Sequence, residues 1–106
     1  MMKLARPESV RVLGKTFTVT LEPAGALNRL EVGLCDEHTQ TITVLEGLHP
    51  EDERETLLHE VLHAVDHAMH CELSEHQVSA LSRGLLAVLI DNPAFAAWLL
   101  ERSGAA

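Results

Sequence analysis

The residues with the clearest chemical potential are His59, Glu60 and His63, which form the pattern His-Glu-x-x-His. On a helix, His59 and His63 lie one turn apart on one face, where both imidazoles can reach a single metal ion. Zinc binds imidazole nitrogen at about 2.0–2.1 Å and accepts two histidines from one helical turn. Glu60 is rotated by about 100° from His59, so it is placed to touch a water molecule at the metal. This combination is typical of metal-dependent hydrolases in which the glutamate is a general base.

The segment around this pattern is predicted to be a helix from about Glu51 to about His70. It contains neither glycine nor proline between Glu53 and Met69, and Pro50 suits a first helical position. Apolar side chains cover most of this helix and leave one polar strip: His59, His63, Asp66, His67 and His70. A metal ion in a cleft would give that strip a partner. The alternative is a solvated helix face, because a chain with seven histidines carries some by coincidence.

A catalytic zinc site usually has three protein ligands, so a third must come from elsewhere in the chain. His67 repeats the four-residue spacing, but it would lie about 12 Å along the axis from His59. A short connection leads to a second predicted helix, so the two helices are expected to be antiparallel neighbours. Glu75 falls in the first turn of that helix and can face the histidine pair, or it can serve only the helix dipole. The other candidates lie close to it in sequence: Cys71, Glu72 and His76.

Short strands are predicted in the first half of the chain, residues 1–48. Four segments have strand character: Val10–Leu13, Thr16–Leu21, Leu30–Cys35 and Thr39–Leu45. Gly14-Lys15 is the expected hairpin turn between the first two strands. Glu22 to Asn28 contains proline and glycine and is predicted to be a loop, and Asp36 to His38 is predicted to be the turn between the last two strands.

Helices are predicted in the second half, residues 49–102. Ser74 is the expected N-cap of the second helix, which Gly84 weakens without ending it. After a break at Asn92-Pro93, a third helix, Ala94–Glu101, is expected to pack Phe95, Trp98 and Leu99 on the core. The last four residues, 103–106, are expected to be frayed. Strands followed by helices predict a single α+β domain, in which a small antiparallel or mixed sheet packs on two to three helices.

The chain resembles the small gluzincin metallopeptidases, and it is similar to the ImmA/IrrE-like group and to the compact zinc peptidases of phages and prophages. The resemblance covers roughly residues 40 to 100 and is carried by three runs: Thr56–Ala64, Leu73–Glu75 and Val78–Leu81. It implies a zincin-like minimal core in which an edge strand runs along the cleft. Carried over to this chain, it implies Zn²⁺ ligands at His59, His63 and Glu75, with Glu60 as the general base. Ser79 stands where IrrE-like members often have an asparagine.

A peptidase must also stabilise the negative charge that develops on the carbonyl oxygen. The chain has no tyrosine, and the groups left for this role are His49, His67, His76 and Arg83. Asp66 and Ser79 are candidates for orienting a metal ligand by a hydrogen bond, although a solvated charge and a packing residue are the alternatives. The substrate is expected to be an extended segment that adds to an edge strand such as Thr39–Leu45.

Composition excludes several classes of partner. The net charge of −8 argues against nucleic acid and against an anionic membrane surface, because phosphates are bound by lysine and arginine. No apolar run reaches about 18 residues, and the first residues lack the apolar stretch of a signal peptide. Two cysteines, Cys35 and Cys71, do not form a disulfide framework, so a reducing cytoplasmic location is expected.

The sequence therefore predicts a zinc-dependent endopeptidase that acts on an intracellular protein or peptide, with a regulator as one such substrate by analogy. The alternative is a catalytically silent, metal-stabilised module that regulates or binds another protein. Glu60 favours the enzyme, since a structural metal site has no need of a base. A closed site with four protein ligands would favour the module.

Overall fold

Four strands in the first half of the chain form one mixed sheet. In the computed structural model, which describes residues 4–23 and 31–102, these strands are β1 (Ser9–Val12), β2 (Lys15–Glu22), β3 (Gly33–Asp36) and β4 (Thr41–Leu45). Their order across the sheet is β1-β2-β4-β3. β2 pairs with β4 in parallel, and the two outer pairs are antiparallel. The prediction of an α+β fold with a small mixed sheet is confirmed.

The hairpin turn between β1 and β2 lies one residue earlier than predicted. Val12 pairs with Lys15, so the turn residues are Leu13 and Gly14 rather than Gly14 and Lys15. Both have positive φ, at 48° and 90°. A two-residue turn of this kind needs positive φ at both central positions, and glycine adopts it without steric cost.

β4 is an interior strand, so the prediction that Thr39–Leu45 forms an edge is wrong. It lies between β2 and β3, and its Ile42 and Val44 are completely buried. The two residues alternate with threonines, and their shared face packs against the first helix. The edge of the sheet on this side is β3, which begins at Gly33 rather than at Leu30. Leu30, most of the predicted loop Glu22 to Asn28, and residues 103–106 lie outside the described residues.

The first helix, α1 (Pro50–Met69), carries the His-Glu-x-x-His pattern and has nearly its predicted bounds. Proline occupies the first turn, where its missing N–H is not needed, and three acidic residues follow it. The helix ends at His70, whose φ of 54° is left-handed. Thr56, Glu60 and Ala64 form its buried row. This row faces the sheet, because Ala64 belongs to the same buried cluster as Ile42 and Val44.

The second helix, α2 (Glu75–Asp91), starts at the predicted cap. The Ser74 hydroxyl accepts from the Gln77 N–H, and the Gln77 side chain accepts from the Ser74 N–H, so the helix start is satisfied from both sides. Gly84 lies inside the helix and does not end it. Val78 and Ser82 are its buried residues, and within residues 4–23 and 31–102 α2 packs on α1 and on the third helix but not on the sheet.

The third helix, α3 (Pro93–Leu99), does not pack on the core as predicted. Among the described elements it contacts only α2, and it has no buried residue. Phe95, Trp98 and Leu99 are 45%, 69% and 53% exposed. The apolar spacing of a short helix does not say which surface it meets, and here α2 leads it away from the sheet.

None of the three helices is long and apolar enough to cross a membrane, as judged over the described part of the chain.

Candidate metal centre

Three side chains from α1 and α2 converge on one point. His59 Nε2 lies 2.6 Å from Glu75 Oε1, and His63 Nε2 lies 3.0 Å from Glu75 Oε2. The two imidazole Nε2 atoms are 3.2 Å apart. The structure thus brings together the two histidines of the pattern and the glutamate that the second helix was expected to supply.

Without a metal ion, the two imidazoles can donate to the two oxygens of Glu75 through Nε2–H groups that lie side by side. A metal ion in the same place would instead accept a lone pair from both nitrogens and from one carboxylate oxygen. Two imidazoles and one carboxylate form a donor set that zinc takes in catalytic sites. Tetrahedral ligands at about 2.0–2.1 Å would lie about 3.3 Å apart, which is close to the 3.2 Å between the two Nε2 atoms, whereas the 2.6 Å between His59 Nε2 and Glu75 Oε1 is shorter.

The short connection between α1 and α2 places Glu75. Asp66 accepts hydrogen bonds from it twice, through its backbone oxygen from Cys71 N–H and through Oδ1 from Leu73 N–H. These bonds, together with the left-handed residues His70 and Glu72, reverse the chain so that the first turn of α2 faces the histidines. Asp66 therefore binds the connection and does not orient an imidazole.

Glu60 is buried beside the candidate ligands, on the row of α1 that faces the sheet. Its residue exposure is 7%, and its carboxylate lies against the backbone of β3, because a Cβ built on Gly33 would be only 3.0 Å from Glu60 Oε2. Burial raises the pKa of Glu60 to about 7, and the negative charges of Glu75, Glu31 and Glu37 add to the effect. The absence of a side chain at Gly33 is what lets this carboxylate approach the edge strand.

A cleft of about 650 Å³ runs between β3 on one side and α1 and α2 on the other. Its walls include the three candidate ligands, Glu60, and residues of the edge strand with the residue before it: Val32, Gly33, Leu34 and Cys35. Burial raises the pKa of the Cys35 thiol to about 12, with Glu37 and Glu60 contributing. Sequence reasoning did not find Cys35 or Gly33 as cleft residues, because no motif connects β3 to the histidines and only the sheet order brings them together.

The remaining candidates divide into two groups. Ser79 and Arg83 line the cleft, and Arg83 Nε donates to Glu55 Oε1 at 2.9 Å. Outside the cleft lining lie His49, which precedes α1, and the exposed residues His67, Cys71, Glu72 and His76. None of these outer residues belongs to the ligand cluster found among the described residues.

The geometry of the chain's own residues carries the interpretation of this site. Comparisons with protein-family models, with curated proteins and with solved structures find no match.

Proposed function

We propose that this protein is a zinc-dependent endopeptidase that hydrolyses peptide bonds of an intracellular protein. The observation that carries the proposal is the convergence of His59, His63 and Glu75 beside a buried glutamate, in a cleft that has a sheet edge as its wall. The resemblance to small gluzincins gives the same ligands and the same base. A cytoplasmic location is part of the proposal, and the two free cysteines are consistent with it.

The number of ligands supports an enzyme over a silent metal-stabilised module. The described residues offer a cluster of three ligand side chains, not four. Three protein ligands leave one coordination position for a substrate or water, whereas structural zinc sites are closed by a fourth. When bound there, zinc supplies a Lewis acid that polarises a peptide carbonyl and lowers the pKa of a water molecule.

Glu60 is the proposed general base. It follows His59 directly in α1, so its carboxylate lies beside the ligands without being one of them. A base works best when its pKa is close to the working pH, and burial brings the pKa of Glu60 to about 7. In the proposed mechanism the carboxylate takes a proton from the attacking water and delivers it to the leaving amine.

β3 is the proposed binding edge for the substrate backbone. On one side it pairs with β4, and no other described strand pairs with its second side. An extended peptide can add to such an edge through main-chain hydrogen bonds. Arg83 is the proposed group that stabilises the developing negative charge, because it is the one lysine or arginine among the described residues of the cleft lining.

Glu60→Gln tests this mechanism. The amide keeps the size of the side chain but cannot take a proton, so zinc content should stay unchanged while peptide cleavage falls by about 10²–10⁴-fold. The assay uses zinc-loaded protein with a panel of denatured proteins, and fragments are scored by mass spectrometry. Glu46→Gln, at an exposed glutamate outside the cleft, is the matched control and should cleave like the wild type. Equal cleavage by Glu60→Gln would overturn the role of the base, and no cleavage by wild type would favour the module.

A further inference from the structure

The cleft beside the metal centre is strongly acidic. Five carboxylates line it, against one arginine: Glu31, Glu37, Glu55, Glu60, Glu75 and Arg83. Arg83 is already paired with Glu55, and Glu75 faces the histidines. A bound Zn²⁺ would offset the charges nearest to it, but Glu31 and Glu37 remain on the wall formed by β3.

Glu31 and Glu37 lie just outside the two ends of β3. They are six positions apart in sequence, which is at most about 20 Å of extended chain. Both line the same cleft as Glu60 and the three candidate ligands. Among residues 4–23 and 31–102, no basic side chain forms a salt bridge with either glutamate. A peptide lying along β3 would therefore pass one carboxylate near each end of the strand.

Glu60 lines the same cleft, where the residue is 7% exposed and its carboxylate approaches the backbone of Gly33. No salt bridge joins it to a basic side chain among the described residues. Among those residues no buried side-chain oxygen or nitrogen lacks a hydrogen-bond partner, so the Glu60 carboxylate is open to the cleft rather than sealed inside the protein. A hydrogen-bond donor or a positive charge that enters the cleft would therefore meet this carboxylate as well.

We propose that the cleft selects basic peptide segments, with lysine or arginine two to four residues from the bond to be cleaved, and that Glu31 and Glu37 determine this specificity. The inference rests on the proposed function and adds the charge class of its substrate. The acidic walls attract such a segment and repel an acidic one, and this discrimination weakens as salt screens the charges.

Peptide pools test the charge preference. Three pools share randomised central residues and carry lysine, glutamine or glutamate at positions two to four on both sides of the centre. Zinc-loaded wild type should cleave the lysine pool roughly 10-fold faster than the glutamine pool, and the glutamate pool most slowly. Glu31→Lys and Glu37→Lys should each reduce or reverse this order, whereas the matched control Glu46→Lys should keep it. Equal rates on all pools, or equal preference in all variants, would overturn the inference and leave the peptidase standing.

A binding measurement separates failure of the inference from failure of the proposed function. Zinc-loaded Glu60→Gln is titrated into a fluorescein-labelled lysine peptide and into its glutamate counterpart, and binding is followed by anisotropy. Tighter binding of the lysine peptide, lost in the Glu31→Lys, Glu37→Lys background, supports the inference even if wild type cleaves no pool. In that case the peptidase is overturned alone. Equal binding of both peptides, or no binding, overturns the inference.

Discussion

α1 packs closely against the sheet on one side and less closely against α2 on the other. Towards the sheet, its buried row lies so close to β3 that a Cβ on Gly33 would come within 2.7 Å of Thr56 Cγ2. This contact positions Glu60, which follows His59, the first candidate ligand, in sequence. Towards α2, the interface is narrower, with Val78 and Ser82 as the buried residues of the second helix.

Outside that interface, several apolar side chains of α2 and α3 are exposed. The outer flank of α2, formed by Leu81, Leu85 and Val88, is 44–47% exposed, and α3 adds Phe95 and Trp98, whose rings stack 6.4 Å apart on the surface. Glu75 belongs to this less tightly held part. The proposed base and the two histidines are thus positioned by the sheet and α1, while Glu75, the third candidate ligand, depends on a helix that a bound metal ion would connect to α1.

The largest expected effect follows from metal binding between α1 and α2. Wild type should bind about one zinc ion per chain, and zinc should raise the melting temperature because it binds only the folded arrangement. His63→Ala should lose both the metal and the zinc-dependent stabilisation. His67→Ala, an exposed histidine one turn later, is the matched control and should keep both. Elemental analysis and thermal denaturation with and without zinc measure this, and zinc retained by His63→Ala would refute the ligand set.

The next largest expected effect is a difference in thiol reactivity between Cys35, in β3, and Cys71, in the connection between α1 and α2. With its pKa raised to about 12, Cys35 at pH 8 should have a thiolate fraction about 10³-fold below that of a free thiol with pKa about 8.5. Cys71 lies exposed in the connection between α1 and α2. Iodoacetamide labelling of the folded protein should therefore modify Cys71 first, with Cys35→Ser and Cys71→Ser assigning the two rates.

The same shift predicts a pH dependence. A raised pKa means that the folded state favours the protonated thiol, so this contribution to stability is complete below pH 9 and is lost as pH rises towards about 12. Cys35→Ser should lack that particular loss. Equal iodoacetamide labelling rates for both cysteines would show that Cys35 in β3 is not shielded from solvent.

Two glycines test the closeness of β3 to α1 directly. Gly33→Ala places a methyl group against Thr56 and Glu60, and such overpacking should destabilise the protein by about 1–3 kcal/mol. Gly84→Ala, in α2 with no atom within 4 Å of the added Cβ, should instead stabilise it by up to about 1 kcal/mol, because alanine favours the helix. Urea denaturation of both variants measures the difference in the free energy of unfolding. An unchanged stability of Gly33→Ala would show that β3 can shift to accommodate the methyl group.

The helices could be predicted from the sequence because their signals are local. Pro50, the acidic first turn and Ser74 define helix starts within a few residues, and the spacing of His59 and His63 defines a face. The strand order could not be predicted, since the parallel pairing of β2 with β4 joins segments that are more than twenty residues apart. That pairing moves β4 inside the sheet and makes β3 the edge.

The candidate site was predictable to the same extent as the elements that carry it. Glu75 follows a short connection and a clear cap, so local reasoning places it near the histidines. Glu31, Gly33 and Cys35 reach the cleft only through the sheet order, which no motif records. Phe95 and Trp98 were expected in the core because they are large and apolar. Among the described elements, however, α3 contacts only α2. The size of a side chain does not determine which surface its helix packs on.

The smallest expected effect compares two valines of α2. Val78 is completely buried against α1, whereas Val88 on the outer flank is 47% exposed. Val78→Ala should cost about 1–3 kcal/mol, because it leaves a cavity, and Val88→Ala should cost less than about 0.5 kcal/mol. Both changes gain the same helix propensity, so the difference in unfolding free energy reports burial alone. An equal cost at Val88 would mean that the outer flank is covered in solution. A second copy of the chain as the cover would make the melting temperature rise with protein concentration, and a concentration-independent melting temperature with a small Val88→Ala cost would establish that α2 is held from one side.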